Sequence, residues 1–158
     1  MAGTFDGEAI ANVMAAVRSV PSGIGTFRSS VLFHEPAAAP AQVPALALWA
    51  GPIEPIGAVS GLSEVSGRLT VMGRIYAARA QLMDDKAEAL LLKLTSDLLG
   101  AFAGAFTLGG AVMTVDLLGA YGQKLTATSG YLDHGDTKFR VAEIQVPIII
   151  DPLWTEAP

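Results

Sequence analysis

The sequence predicts a single α+β domain with an N-terminal helix, a longer central helix and several strands. Three observations carry that expectation. Apolar residues recur at helical spacing after Asp6 and after Asp85. Other stretches, above all 67–79 and 138–150, alternate apolar and polar residues with the period of a strand covered on one face. The 158 residues are 51% hydrophobic, which is enough for one core without staples.

In the first helix, Ile10, Val13, Met14 and Val17 form one face, with Glu8, Asn12 and Arg18 off it, and Pro21-Ser22-Gly23 ends it. A turn-rich segment follows, then a short strand in "SSVLFHEP" that Pro36 stops. Residues 36–44, "PAAAPAQVP", combine three prolines with a single amide side chain, and they read as an extended surface loop or arm ordered by a partner. "ALALWAGPI" and "PIGAVSGL" read as two short strands split at Gly51-Pro52 and Glu54-Pro55. In "GRLTVMGRIYAARA", Leu69, Val71, Gly73, Ile75 and Ala77 alternate with Thr70, Met72, Arg74 and Tyr76, which predicts a strand near the sheet centre.

The second helix is expected to open at Asp85, with Glu88 completing a capping box, and to bury Leu91, Leu94, Leu98, Phe102 and Ala105. It ends before Gly109-Gly110. "AVMTVDLL" reads as a strand and 119–130 as a loop or weak strand. In the last strand Ala142, Ile144, Val146, Ile148 and Ile150 face one way, opposite Val141, Glu143, Gln145 and Pro147. Pro147 cannot donate to a ladder, so its end of the strand is expected at an edge.

Composition narrows the function classes. The chain has no cysteine, which removes disulfides, thiolate metal sites and a cysteine nucleophile. Its net charge is −5 and its ten basic residues form no cluster, which argues against specific nucleic-acid binding. Charged residues make up only 16%, so polar cover is short and self-assembly is the simplest outlet. "MAGTFDGEAI" lacks the pattern of a secretory signal, and the expectation is a chain used from Met1. Leu98 to Val115 carries no charge over 18 residues, but Gly109-Gly110, Thr107 and Thr114 break it into helix, turn and strand, so no membrane span is expected.

The candidate sites read mostly as structure. Asp133-His134-Gly135-Asp136 offers the residues of a hairpin bend; the alternative is a metal or acid-base site in a small-molecule enzyme or binding domain. His34 sits where a strand exits, and no serine beside either histidine lies in a nucleophile elbow, since Gly57-Ala58-Val59-Ser60-Gly61 has the wrong spacing. Gly23 and Gly25 lack the third glycine of a dinucleotide fingerprint, and no phosphate loop is present. Asp84 and Asp85 read as a helix cap rather than a carboxylate pair. Arg68, Arg74 and Arg79 mark a solvated outer face or a subunit contact; Trp49 and Trp154 are core or interface anchors.

The order of elements resembles the tail terminator (tail completion) proteins of bacteriophages with long, non-contractile tails. It runs from the amphipathic first helix and the 36–44 loop through "GRLTVMGRIYAAR", "DDKAEALLLKLTSDLLGAF", "AVMTVDLLG" and "TKFRVAEIQVPIIID", essentially the full chain. The resemblance implies an α+β fold in which a mostly antiparallel β-sheet is flanked by the N-terminal helix and the longer central helix, assembled as a homo-oligomer, a hexameric ring, that caps the tail tube, ends polymerisation of the tube protein and offers the docking surface for head-tail connector and neck proteins. It implies no catalysis and no cofactor or metal, and a place at the head-proximal end of the virion tail after synthesis in the host cytoplasm. Under that reading Pro40, Val43, Trp49, Arg68, Arg74, Arg79, Pro147 and Trp154 meet a neighbouring subunit or the tube. The alternative role of the same class is another head-tail connector or a tube subunit.

Overall fold

The structure is a computed structural model that describes residues 3–27, 31–57 and 63–156. In chain order the elements are β1 (Gly3–Phe5), α1 (Gly7–Ser19), β2 (Val31–Leu32), β3 (Ala45–Ile56), β4 (Glu64–Arg79), α2 (Asp85–Gly104), β5 (Thr114–Val115), β6 (Thr126–His134) and β7 (Thr137–Glu156). The seven strands make one sheet, antiparallel except where β2 runs parallel to β3. Its spine is the long antiparallel pair β4 and β7. β3 lies outside β4, and β6, β5 and β1 follow one another along the far side of β7. The fold is thus the expected α+β domain with a mostly antiparallel sheet, an N-terminal helix and a longer central helix.

Both helices lie on one face of the sheet. From α1, Val13 and Val17 are fully covered; from α2, Leu91, Leu94, Leu98 and Phe102 are. They pack on Leu46 and Leu48 of β3, Leu69, Val71 and Ile75 of β4, and Ala142, Ile144, Val146 and Ile148 of β7. This is the face that the strand alternation marks as apolar. Burying each such side chain contributes about 1.5–3 kcal/mol, so this single cluster dominates the stability.

Several local expectations need correction. The cap of α2 is Asp84, whose Oδ1 accepts from Ala87 N–H at 2.8 Å. Glu88 then falls one residue too late for a capping box, and it turns instead to Arg140 on β7. Asp6 caps α1 in the same way, accepting from Ala9 N–H at 2.8 Å. β3 is one strand and not two, because a register shift between Ala50 and Ile53 absorbs Pro52. Gly51 makes that irregularity possible, since a Cβ there would sit 2.7 Å from the Thr70 carbonyl. The remainder of the expected "PIGAVSGL" strand, at 58–62, lies outside the described residues, as do Ser29 and Ser30 of "SSVLFHEP".

Pro147 is buried in the central strand rather than placed at an edge. Its carbonyl accepts from Asp116 N–H at 2.8 Å on the side away from β4. A strand residue sends its N–H and C=O to the same side, so the missing donor faces the gap between β5 and β6, where no ladder bond is lost. Strand β5 is only Thr114–Val115, far shorter than "AVMTVDLL". The uncharged stretch from Leu98 to Val115 divides into the end of α2, a turn with Gly109 at φ 69° and β5. Among the described residues no helix is long and apolar enough to cross a membrane.

Candidate interaction surfaces

The sheet face opposite the helices carries Thr70, Met72, Arg74 and Tyr76 of β4 beside Pro147, Gln145, Glu143 and Val141 of β7. A strand covered on one face only would leave this side to solvent, yet Tyr76 and Thr70 are buried here too. Two devices cover it. At one end Ala45, Tyr76, Phe139 and Val141 form a second, small apolar cluster against Val43 and Leu132. Elsewhere arginines lie flat over it.

Arg74 donates from Nη2 and Nε to Glu143 Oε1 at 2.8 and 3.0 Å, its guanidinium stands 5.3 Å from the Trp49 ring centre, and Nη1 reaches the Tyr76 hydroxyl at 3.3 Å. Burial works against its charge, but the hydrogen bonds to Tyr76 and Glu143 overcome that and hold its pKa above the usual guanidinium value. Arg68 makes the same kind of clamp, to Glu54 at 2.7 Å and to the Tyr121 carbonyl at 2.8 Å. On the helix side Arg140 grips both oxygens of Glu88 and covers Tyr131 at 4.8 Å. The hydrogen bond from Arg140 pulls the Glu88 carboxyl below its usual range, and the same bond raises Arg140. In all three pairs the arginine side chain is nearly sealed, at 11–15% exposure, while its glutamate stays 42–48% exposed.

Arg68 and Arg74 are therefore neither solvated nor free; they hold down their own sheet beneath half-exposed carboxylates. Trp49, Arg74, Arg68, Pro147 and Val43 gather on this one face. Arg79 stands apart at the end of β4 and makes no ion pair among the described residues. Trp154 is at the opposite end, tilted against Phe5 of β1 at 5.7 Å between ring centres, so its docking partner lies within the chain. The 36–44 segment is no free arm: Pro36 is buried and Pro40, Val43 and Pro44 are half-buried. Val43 belongs to the small cluster beside Tyr76.

The acidic bend is a hairpin. β6 and β7 meet at the pair His134 and Thr137 across Gly135-Asp136, with Gly135 at φ 59° supplying the left-handed residue that a tight turn needs. Strand alternation sends Asp133 and His134 to opposite faces. Asp133 lies 4.0 Å from Lys138, while His134 Nε2 meets the Tyr76 hydroxyl at 3.0 Å. Among the described residues no three metal-binding side chains gather at one point.

Two features escape the sequence reading. Asp116, only 3% exposed, accepts three backbone N–H bonds, from Gly119 and Ala120 at Oδ1 and from Tyr121 at Oδ2, all within 2.9 Å. It thereby folds 116–125 into a compact loop over the gap beside Pro147. An Asp three residues ahead of Gly119-Ala120-Tyr121-Gly122 is the only trace of this in sequence. The loop also places Leu117, Leu118 and Leu125 alongside Leu92 and Leu99 of α2, forming an open apolar groove that no charged side chain lines. Leu118 is 90% exposed and Leu92 60%. Helical periodicity alone marks Leu92 as off the buried face; the loop that makes it part of a patch is a tertiary feature.

No protein-family model matches the chain, and no curated protein matches it in sequence.

Proposed function

We propose that this chain is a structural subunit that acts by assembling, as the ring-forming terminator of a bacteriophage tail tube. One observation supports it most: the exposed apolar groove of α2 and the 117–125 loop, crowned by Leu118. Leaving leucines in water forgoes about 25 cal/mol per Å² of cover, and contiguous patches of that kind are typical of protein contact sites. The charged side chains add to this reading: Arg68, Arg74 and Arg140 are each spent on a clamp to a glutamate within the fold, and among the described residues no three metal-binding side chains gather at one point. A contact between two different patches that closes on itself gives a ring, and a ring on a tube end leaves the tube no surface for growth.

The test is electron microscopy of the purified protein alone and mixed with tail tubes, together with loss of the gene. Closed rings, tubes capped at one end, and overlong headless tails in the gene's absence are the expected results. Leu118→Asp should keep the fold, because the side chain is almost wholly exposed, and should abolish capping. Open-ended filaments would make the protein a tube subunit instead, and normal tails joined to heads without the gene would refute the terminator role.

A further inference from the structure

The sheet ends in two unlike edges. β3 is paired with β2 only at Leu46 and Ala47, and beyond that it is blunted by Pro52, Pro55 and its register shift. Natural sheets protect an edge with such devices. β6 has none of them: its nine residues "TATSGYLDH" contain no proline, lysine or arginine, and among the described residues it pairs only with β7.

The backbone groups left over on β6 can be deduced. Asp116 N–H donates to the Pro147 carbonyl and Met113 N–H to the Ile149 carbonyl, so the odd-numbered residues of β7 aim their polar groups toward β5 and β6. Their partners on β6 are the even-numbered ones, from Thr126 to His134. Ala127, Ser129, Tyr131 and Asp133 therefore direct N–H and C=O away from the sheet.

We propose that β6 pairs antiparallel with β6 of a second copy of this chain, across a two-fold axis at Gly130. Gly130 is the midpoint of the strand, so this register overlaps all nine residues. It sets Ala127 opposite the partner's Asp133 and Ser129 opposite the partner's Tyr131, which gives four pairs and about eight hydrogen bonds. The charge pattern favours a copy of itself. The strand's one acid, Asp133, falls opposite an alanine, and the two copies of Asp133 are about 20 Å apart, beyond the screening length in physiological salt. Along half of the strand the approach is unhindered by its own side chains, since Ala127, Thr128, Ser129 and Gly130 are small. Tyr131, 59% exposed, gains cover. The contact is isologous and cannot close a ring by itself, so it is independent of the tail reading.

The chain has no cysteine, so Gly130→Cys places one thiol on the axis. A Cβ at Gly130 meets no atom within 4 Å, and the variant should fold. Two residues facing each other in the wide pairs of an antiparallel ladder have Cα atoms about 4.5 Å apart, within disulfide reach. Under mild oxidation Gly130→Cys is expected to form a covalent dimer. Thr128→Cys, about 14 Å from its mate, should cross-link at least ten-fold less. Ser129→Pro removes an outward N–H and none from the β7 ladder; it should shift the uncross-linked protein to the monomer mass in sedimentation. A Gly130→Cys protein that stays uncross-linked at tens of micromolar, a Thr128→Cys protein that cross-links as well, or a Ser129→Pro protein that remains dimeric overturns the proposal. Rings formed by an uncross-linked Gly130→Cys protein would overturn it and spare the tail reading, whereas cross-linked pairs that never close into rings or cap tubes would do the reverse.

Discussion

Two glycine-to-alanine changes should move stability in opposite directions, and geometry decides the sign. Gly67 is buried in β4, where a Cβ would lie 2.2 Å from Leu153 Cδ2 and 2.9 Å from Trp154 Cζ3. Neither neighbour is free to yield: Leu153 is 1% exposed and its carbonyl accepts from Asp6 N–H, while Trp154 packs on Phe5. Overpacking costs about 1–3 kcal/mol, and a separation this far inside contact distance belongs in the upper half of that range. Alanine returns about 0.5 kcal/mol by restricting the unfolded chain. The net loss for Gly67→Ala is therefore about 2 kcal/mol, a fall in Tm of about 4–8 °C for a domain of this size. Gly100 lies in the last two turns of α2, exposed, with nothing within 4 Å of an added Cβ. Gly100→Ala should gain about 0.8–1 kcal/mol of helix propensity and raise Tm by about 2–4 °C. Thermal unfolding followed by circular dichroism reads both, and tryptophan fluorescence adds a local report from Trp154. A Gly67→Ala protein that melts within 1 °C of the parent would refute the packing assigned to the β1–β7 end of the sheet.

Two further substitutions test the polar scaffold. Asp116→Asn keeps the size of the side chain but replaces one acceptor oxygen by an NH2 facing the Tyr121 N–H; it should cost about 2 kcal/mol and speed amide exchange at 119–121, and unchanged exchange would argue against the buried acceptor. The Glu88 carboxyl is held below its usual range by Arg140, so the pair's contribution is complete above the unfolded value near 4.3 and is lost as pH falls through the lower folded value. Glu88→Gln should accordingly melt lower than the parent at pH 7, with the gap closing as pH falls through the lowered folded value. A gap independent of pH would mean that the ionised pair is not what Glu88 supplies.

Much of the fold is legible in sequence because it rests on periodicity. The faces of α1, α2, β4 and β7 follow directly from apolar spacing, since one cluster between helices and sheet takes all of them. What escapes depends on register. The partnership of Arg74 with Glu143, 69 residues away, exists because β4 and β7 align Arg74 opposite Glu143. Without that alignment both look like solvent-facing charges. Pro147 reads as an edge because a proline lacks its N–H, but which side it lacks it on is fixed only by the interruption between β5 and β6. Glu88 shows how one residue of offset redirects a side chain: counted from Asp85 it closes a capping box, counted from the true cap Asp84 it faces β7. Of the expected interface residues, Trp49, Arg68, Arg74, Pro147 and Val43 share a face, while the exposed apolar groove is not legible in sequence, because Leu117, Leu118 and Leu125 join Leu92 only through a loop that Asp116 folds.

The distribution of charge bears on the proposed assembly. A chain with only 16% charged residues has few to spare, and it uses Arg68 and Arg74 beneath glutamates as lids over the outer face of its sheet, with Arg140 paired to Glu88 on the helix side. Such lids keep the outer face from becoming a second greasy surface, which allows the sheet to carry apolar or small residues on both sides along β7. The same economy leaves the α2 groove and the β6 edge almost without charge, and they differ in what they ask of a partner. The groove rewards any apolar surface of the right shape, whereas the edge rewards only an extended backbone in register. A subunit with one permissive surface and one exacting surface can hold two different neighbours at once, and the blunted β3 edge prevents the backbone pairing from propagating through the other side of the sheet. Pairing at β6 alone would thus stop at two copies, and under the proposed ring the α2 groove is the surface that would extend the assembly.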